Sequence, residues 1–132
     1  MWYIASFKAV SIASALKTIE LLEGGLVENS KNVGAYLEAG LRKLMDKYDC
    51  IGDVRGKGLM IGMELVEDRR SRKPAAALCD ALITRAYHNG LLLLPCGRST
   101  VRYMPPLVIS RADVDEAITL IEASLTEALA AR

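Results

Sequence analysis

The stretch Gly97-Arg98-Ser99-Thr100-Val101-Arg102-Tyr103-Met104-Pro105-Pro106-Leu107 sets a cation inside an otherwise apolar run and then stops that run with two prolines. Val101 and Tyr103 have strong β preference, and neither Pro105 nor Pro106 can donate to a ladder, so a strand from Thr100 to Met104 ends there. An arginine in such a strand is costly to bury unless an anion meets it. Its planar guanidinium grips a carboxylate through two parallel hydrogen bonds. Arg102 therefore reads as a carboxylate clamp, for a substrate or for an internal acid such as Glu64. Residue types alone favour the internal partner.

Around this strand the chain divides into helices and short extended runs. Leu91 to Leu94 reads as a buried strand, joined antiparallel to Thr100–Met104 through a turn containing Gly97. Two more runs, Ile51 to Val54 and Leu59 to Leu65, are separated by Arg55-Gly56-Lys57-Gly58. In the second, Leu59, Ile61, Met63 and Leu65 make the greasier face of a period-two pattern. Before them, Ile12, Leu16, Ile19 and Leu22 form one helical stripe that Gly24-Gly25 ends, and Leu26, Val33, Leu37, Leu41, Leu44 and Tyr48 form another. Glu38 and Arg42 suit an i,i+4 pair on the wet side of that second helix. Glu67 to Lys73 is a charged loop. Pro74 suits the first turn of a third helix carrying Leu78, Ala81, Leu82 and Ala86, which Asn89-Gly90 stops. Ser110 and Asp113 make an acidic capping box before a last helix with Val114, Ile118, Ile121 and Leu125 as its stripe. The order ααββαββα predicts an α+β, two-layer sandwich: a small antiparallel-type sheet with helices on one face.

Composition narrows the function classes. At 132 residues the chain is long enough for one domain, 1–132, with a real core. Its 17 basic and 16 acidic residues are well mixed, which gives no electrostatic reason to expect nucleic acid or a membrane surface as partner. No apolar run is long enough to span a bilayer. Cys50, Cys79 and Cys96 match neither a zinc spacing nor a disulfide framework, so no metal is expected and a reducing cytoplasm is the default.

Other chemistry-bearing residues have bland readings that outweigh the sharp ones. Arg55-Gly56-Lys57-Gly58 has the composition of a phosphate cradle, but a strand follows it where a P-loop needs a helix. A hairpin with solvated cations is the better reading. His88, the sole histidine, sits near a helix C-terminus, where a cation is favoured by the helix dipole. Cys96 reads as a small packed residue. No lysine has the desolvated or cation-flanked setting of a Schiff-base former, and no catalytic residue is assigned.

The segment Ile51 to Leu65, with its Asp53-Val54-Arg55-Gly56-Lys57-Gly58-Leu59-Met60-Ile61-Gly62-Met63-Glu64-Leu65 hairpin, resembles the start of the last domain of class III pyridoxal-phosphate aminotransferases, a group that includes the 4-aminobutyrate, ornithine and acetylornithine enzymes. Gly90-Leu91-Leu92 through Cys96-Gly97, then Val101 to Ile109 and an acidic final helix, is similar to a second motif in the same order. Ala15 to Glu20 and Leu37 to Leu41 resemble the two lead-in helices. The likeness runs from about Ser11 onward, 11–132, with 1–10 as a poorly matched lead-in. The Cys-Gly-x-Ser-Thr-x-Arg wording leans towards the 4-aminobutyrate or ornithine branch.

The resemblance implies the small domain of a fold-type I enzyme. It also implies amino transfer between an amino acid and a 2-oxo acid, and a substrate carboxylate for Arg102. Pyridoxal 5'-phosphate, its Schiff-base lysine and most phosphate contacts would belong to a large domain outside these residues. This chain would then be a homo-oligomer's C-terminal fragment, inactive alone and with no tightly bound cofactor of its own. The face that the large domain covers would remain apolar and favour self-association. Ser6 and Phe7 stand where the family has a phosphate-contacting threonine turn, but without its Gly-Gly-Asn-Pro, so Ser6 is not assigned as a ligand. Lys8 is not carried over as the catalytic lysine. The competing readings are a stand-alone module that binds a carboxylate metabolite and a structural remnant.

Overall fold

Why the sheet buries one face follows from its registers, seen in a computed structural model that describes residues 9–131; the readings of Ser6, Phe7 and Lys8 lie outside these. Strands β1 (Ile51–Lys57), β2 (Met60–Leu65), β3 (Leu94–Cys96) and β4 (Thr100–Tyr103) are antiparallel throughout, in the order β1-β2-β4-β3. Val54, Ile61, Met63, Leu65, Val101 and Tyr103 all point to one side and are buried. Strand alternation then sends Asp53, Arg55, Gly62, Glu64, Thr100 and Arg102 to the other.

Helices α2 (Val27–Lys47), α3 (Ala76–His88) and α4 (Arg111–Ala130) supply the opposite half of the core, chiefly through Leu37, Leu41, Leu44, Leu78, Leu82, Ile121 and Leu125. The result is the α+β two-layer sandwich and the ααββαββα order expected from the sequence. Among the described residues no helix is long and apolar enough to cross a membrane.

Local signals were obeyed where they are self-contained. Ser110 accepts the Asp113 N–H while the Asp113 carboxylate accepts the Ser110 N–H, the reciprocal capping box of α4. The Ser110→Ala variant is expected to lose about 1 kcal/mol, read as a lower urea midpoint. Equal midpoints would count against the cap. Arg42 donates to Glu38 through two nitrogens at 3.0 and 2.7 Å, the pair expected on α2.

Four readings need correction. The run Leu91–Leu94 is not a buried strand: β3 starts only at Leu94, and Leu92 and Leu94 are 75% and 51% exposed. The chain leaving Gly90 (φ +89°) turns only Leu93 of these four fully into the core, and Pro95 confines the strand to the sheet edge. Pro74 is not in the first turn of α3. It bridges to Val66, and the Ala75 N–H donates to the Leu65 carbonyl, so this segment finishes the sheet before the helix begins at Ala76.

The third concerns Gly24-Gly25, which does not stop α1 (Ala9–Leu21) cleanly. Leu22–Leu26 forms a π-helical turn, kinked at Gly25 (φ +127°), that runs directly into α2. The apolar stripe of α1 is real as a pattern but uncovered among the described residues, with Ile12, Leu16 and Ile19 at 45%, 63% and 51% exposure. Last, Arg55-Gly56-Lys57 is not a separator. It continues β1, and only Gly58-Leu59 makes the turn.

Candidate functional site

Arg102 stands in β4 directly opposite Gly62 of β2 and Leu94 of β3, on the sheet face that the helices leave open. Its cost of burial does not arise, because the side chain is exposed. Among the described residues it has no ion pair or side-chain hydrogen bond. The internal partner favoured by residue types alone is not there, because Glu64 is held elsewhere.

What holds Glu64 is Arg55. Its Nη1 donates to Asp53 Oδ2 at 2.6 Å and to Glu64 Oε2 at 3.2 Å. These hydrogen bonds, Asp53 first and Glu64 second, hold the guanidinium above its ordinary pKa. The triad was not foreseen from sequence, where Arg55 read as a solvated turn cation. Its signal was the period-two placement of Asp53 and Arg55 on one face with Glu64 in the facing strand.

A groove of about 550 Å³ opens beside Arg102, lined by residues including Leu92, Leu94, Met104, Pro106 and Ile109, and Arg102 is its one charged lining residue. The two prolines that end β4 also build its wall. Asn29 of α2 fixes that wall, donating from Nδ2 to the Leu107 carbonyl at 2.6 Å and the Ile109 carbonyl at 3.1 Å. An apolar hollow with one cation at its rim suits an anion carried on an aliphatic body.

Of the other candidates, the Gly58 turn and His88 fall as their bland readings expect, and Cys96 does not. The Gly58 turn is a hairpin seated on α2: Ser30 Oγ accepts the Leu59 N–H at 3.2 Å, so this backbone donor is not offered to a phosphate. His88 lies exposed in the last turn of α3, its ring edge-on to Tyr87 at 5.7 Å. Cys96 is exposed on β3, not packed as expected, because all three residues of this short edge strand are in water.

All described lysines are exposed. The Lys47 ammonium is held above its ordinary pKa by its hydrogen bond to Glu122, the opposite of an activated amine. The described residues therefore do not fit a Schiff-base lysine for pyridoxal phosphate.

The class-III aminotransferase family matches residues 5–125. The 5-aminovalerate aminotransferase DavT of Pseudomonas aeruginosa is 37% identical over 115 residues, covering 85% of this chain and 27% of that protein. A leucine/methionine racemase of Thermococcus litoralis is 35% identical over 119 residues, covering 89% of this chain and again 27% of the relative. An amine transaminase from an uncultivated Pseudomonas species, solved in its PLP-bound internal aldimine form, superposes with a TM-score of 0.82 at 34% identity, over 89% of this chain and 27% of that one. The chain thus spans about a quarter of the length of the proteins it matches, and within them its sheet and helices correspond to a small domain. With motifs, fold and matched length in agreement, the chain belongs to the class-III aminotransferase family.

Proposed function

We propose that this chain, residues 1–132, is the C-terminal domain of a pyridoxal-phosphate-dependent aminotransferase in which Arg102 receives the substrate carboxylate. The reaction is amino transfer between an amino or ω-amino acid, such as 4-aminobutyrate or ornithine, and a 2-oxo acid. The observation that carries the reading is an unpaired Arg102 at the rim of an otherwise apolar groove. A guanidinium fork fixes the carboxylate end, while Leu94 and Met104 give the carbon chain an apolar wall. The 5-aminovalerate for which the Pseudomonas relative is named has that form.

On this reading the cofactor and its lysine come with a large domain, since the lysines here are solvated. When bound, the cofactor supplies the electron sink for amino transfer. The chain alone does not transaminate. The uncovered stripe of α1 supports a face for the large domain, and on this reading the whole enzyme assembles as a homo-oligomer. Among the described residues Cys50, Cys79 and Cys96 form no disulfide, in accord with a reducing cytoplasm.

The test follows the Arg102 Nε–Hε NMR signal, assigned with Arg102→Lys, during titration with 5-aminovalerate and with n-pentylamine, its analogue without the carboxylate. A shift with the first and none with the second is expected. No shift with either would overturn the clamp. Turnover of an amino donor by the purified chain would overturn its inactivity, and sub-millimolar binding by the chain alone would favour the stand-alone module.

A further inference from the structure

Arg55 and Arg102 flank the same residue, Gly62: each is its register partner, one from β1 and the other from β4. Glu64 lies two positions along β2 on the same face, so it stands diagonal to both arginines. Such diagonal neighbours are about 7–8 Å apart, within reach of long side chains. Gly62 has no side chain to stand between them. Glu64 therefore has two cations to choose from, and it takes Arg55.

The choice has a physical cause. Asp53 sits directly opposite Glu64, and two carboxylates so placed repel unless a cation joins them. Arg55 Nη1 joins them, at 2.6 Å from Asp53 and 3.2 Å from Glu64. Remove that cation and Asp53 pushes Glu64 away, with Arg102 as the cation left on its other diagonal.

The geometry points to Arg55 as a positioning residue that withholds Glu64 from Arg102 and so keeps the carboxylate clamp open. This deepens the proposed function and rests on it for the identity of the ligand, though not for the side-chain exchange itself. Arg55 touches no substrate. Its substitution changes how available Arg102 is, without changing what Arg102 recognises.

The experiment uses the whole chain, with acetate as the carboxylate probe and the Arg102 Nε–Hε signal as the readout. In the Arg55→Ala variant the signal is expected to move without any probe, as Glu64 takes up Arg102. The apparent acetate affinity then falls about two- to fivefold, the range expected for an exposed ion pair. Adding Glu64→Gln returns both the probe-free position and the acetate response, and Arg55→Lys, which keeps a cation beside Asp53, stays close to the parent. An unmoved Arg102 signal in Arg55→Ala, or a double variant that fails to restore it, overturns the proposal. If the parent chain's Arg102 ignores acetate, the clamp reading fails, while the probe-free shift and its reversal still decide whether Arg55 withholds Glu64. Unchanged amide dispersion for Ile61 and Val101 separates these outcomes from unfolding.

Discussion

The Gly34→Ala variant is expected to be destabilised by about 2 kcal/mol, a drop of about 1 M in urea midpoint. Gly34 lies buried in the second helix, against the tip of the first hairpin. A Cβ there would overlap the carbonyl carbon and oxygen of Gly58 and come to 2.8 Å from its Cα. These are backbone atoms, so no rotamer change relieves them. Gly58 itself is fixed at φ +57° against Ser30. Ordinary helix propensity would favour alanine by up to about 1 kcal/mol, so the steric cost has to exceed that gain. Gly24→Ala is the control, since its added methyl would meet nothing within 4 Å. Equal midpoints for Gly34→Ala and the parent would show that helix and hairpin separate freely. That would remove the support beneath β1 and the Asp53–Arg55–Glu64 cluster.

Alkaline pH provides the second large effect. Tyr103 sits in the core with its hydroxyl donating to the Met63 sulfur at 3.9 Å, and burial drives its pKa far above the ordinary value of 10.0. The phenol stays protonated in the fold, while the unfolded chain releases that proton near pH 10. Its contribution is therefore fully present below pH 10 and is lost as pH rises above it, at about 1.4 kcal/mol per pH unit. Cys79, also raised by burial from 9.0, and Tyr36, raised by its hydrogen bond to Asp115, add to the loss in any variant. Tyr103→Phe should remove the Tyr103 share alone. Between pH 7 and pH 11 its stability is then expected to fall by about 1 kcal/mol less than the parent's. Parallel losses would mean that water reaches the phenol.

Much of the fold could be read from residues that act through near neighbours. Ser110 and Asp113 lie three apart, and a capping box needs nothing beyond one turn of backbone. The alternation of Ile61, Met63 and Leu65, and the pairing of Glu38 with Arg42, are of the same kind. Where the readings failed, a distant contact had decided the matter. Four consecutive leucines look like a buried strand, yet Leu92 is in water because the chain has only a short climb from α3 to an edge strand centred on Pro95. Pro74 looks like a helix start, yet the Leu65 carbonyl claims Ala75 first. The stripe of α1 looks like a core face, yet the described residues bring nothing to cover it.

The candidate site divides along the same line. The sequence by itself determined that a lone arginine sits in a strand ended by two prolines, and its motifs carried the likeness to class III aminotransferases. Both are properties of residues in order along the chain. Only the tertiary structure decided that Arg102 faces solvent and that Arg55 holds Glu64. It alone showed that Pro105, Pro106 and Leu94 meet around an apolar groove. Strand register brings together residues from β1, β2, β3 and β4 that are far apart in sequence, and it is this register that sets the Glu64 carboxylate between two cations.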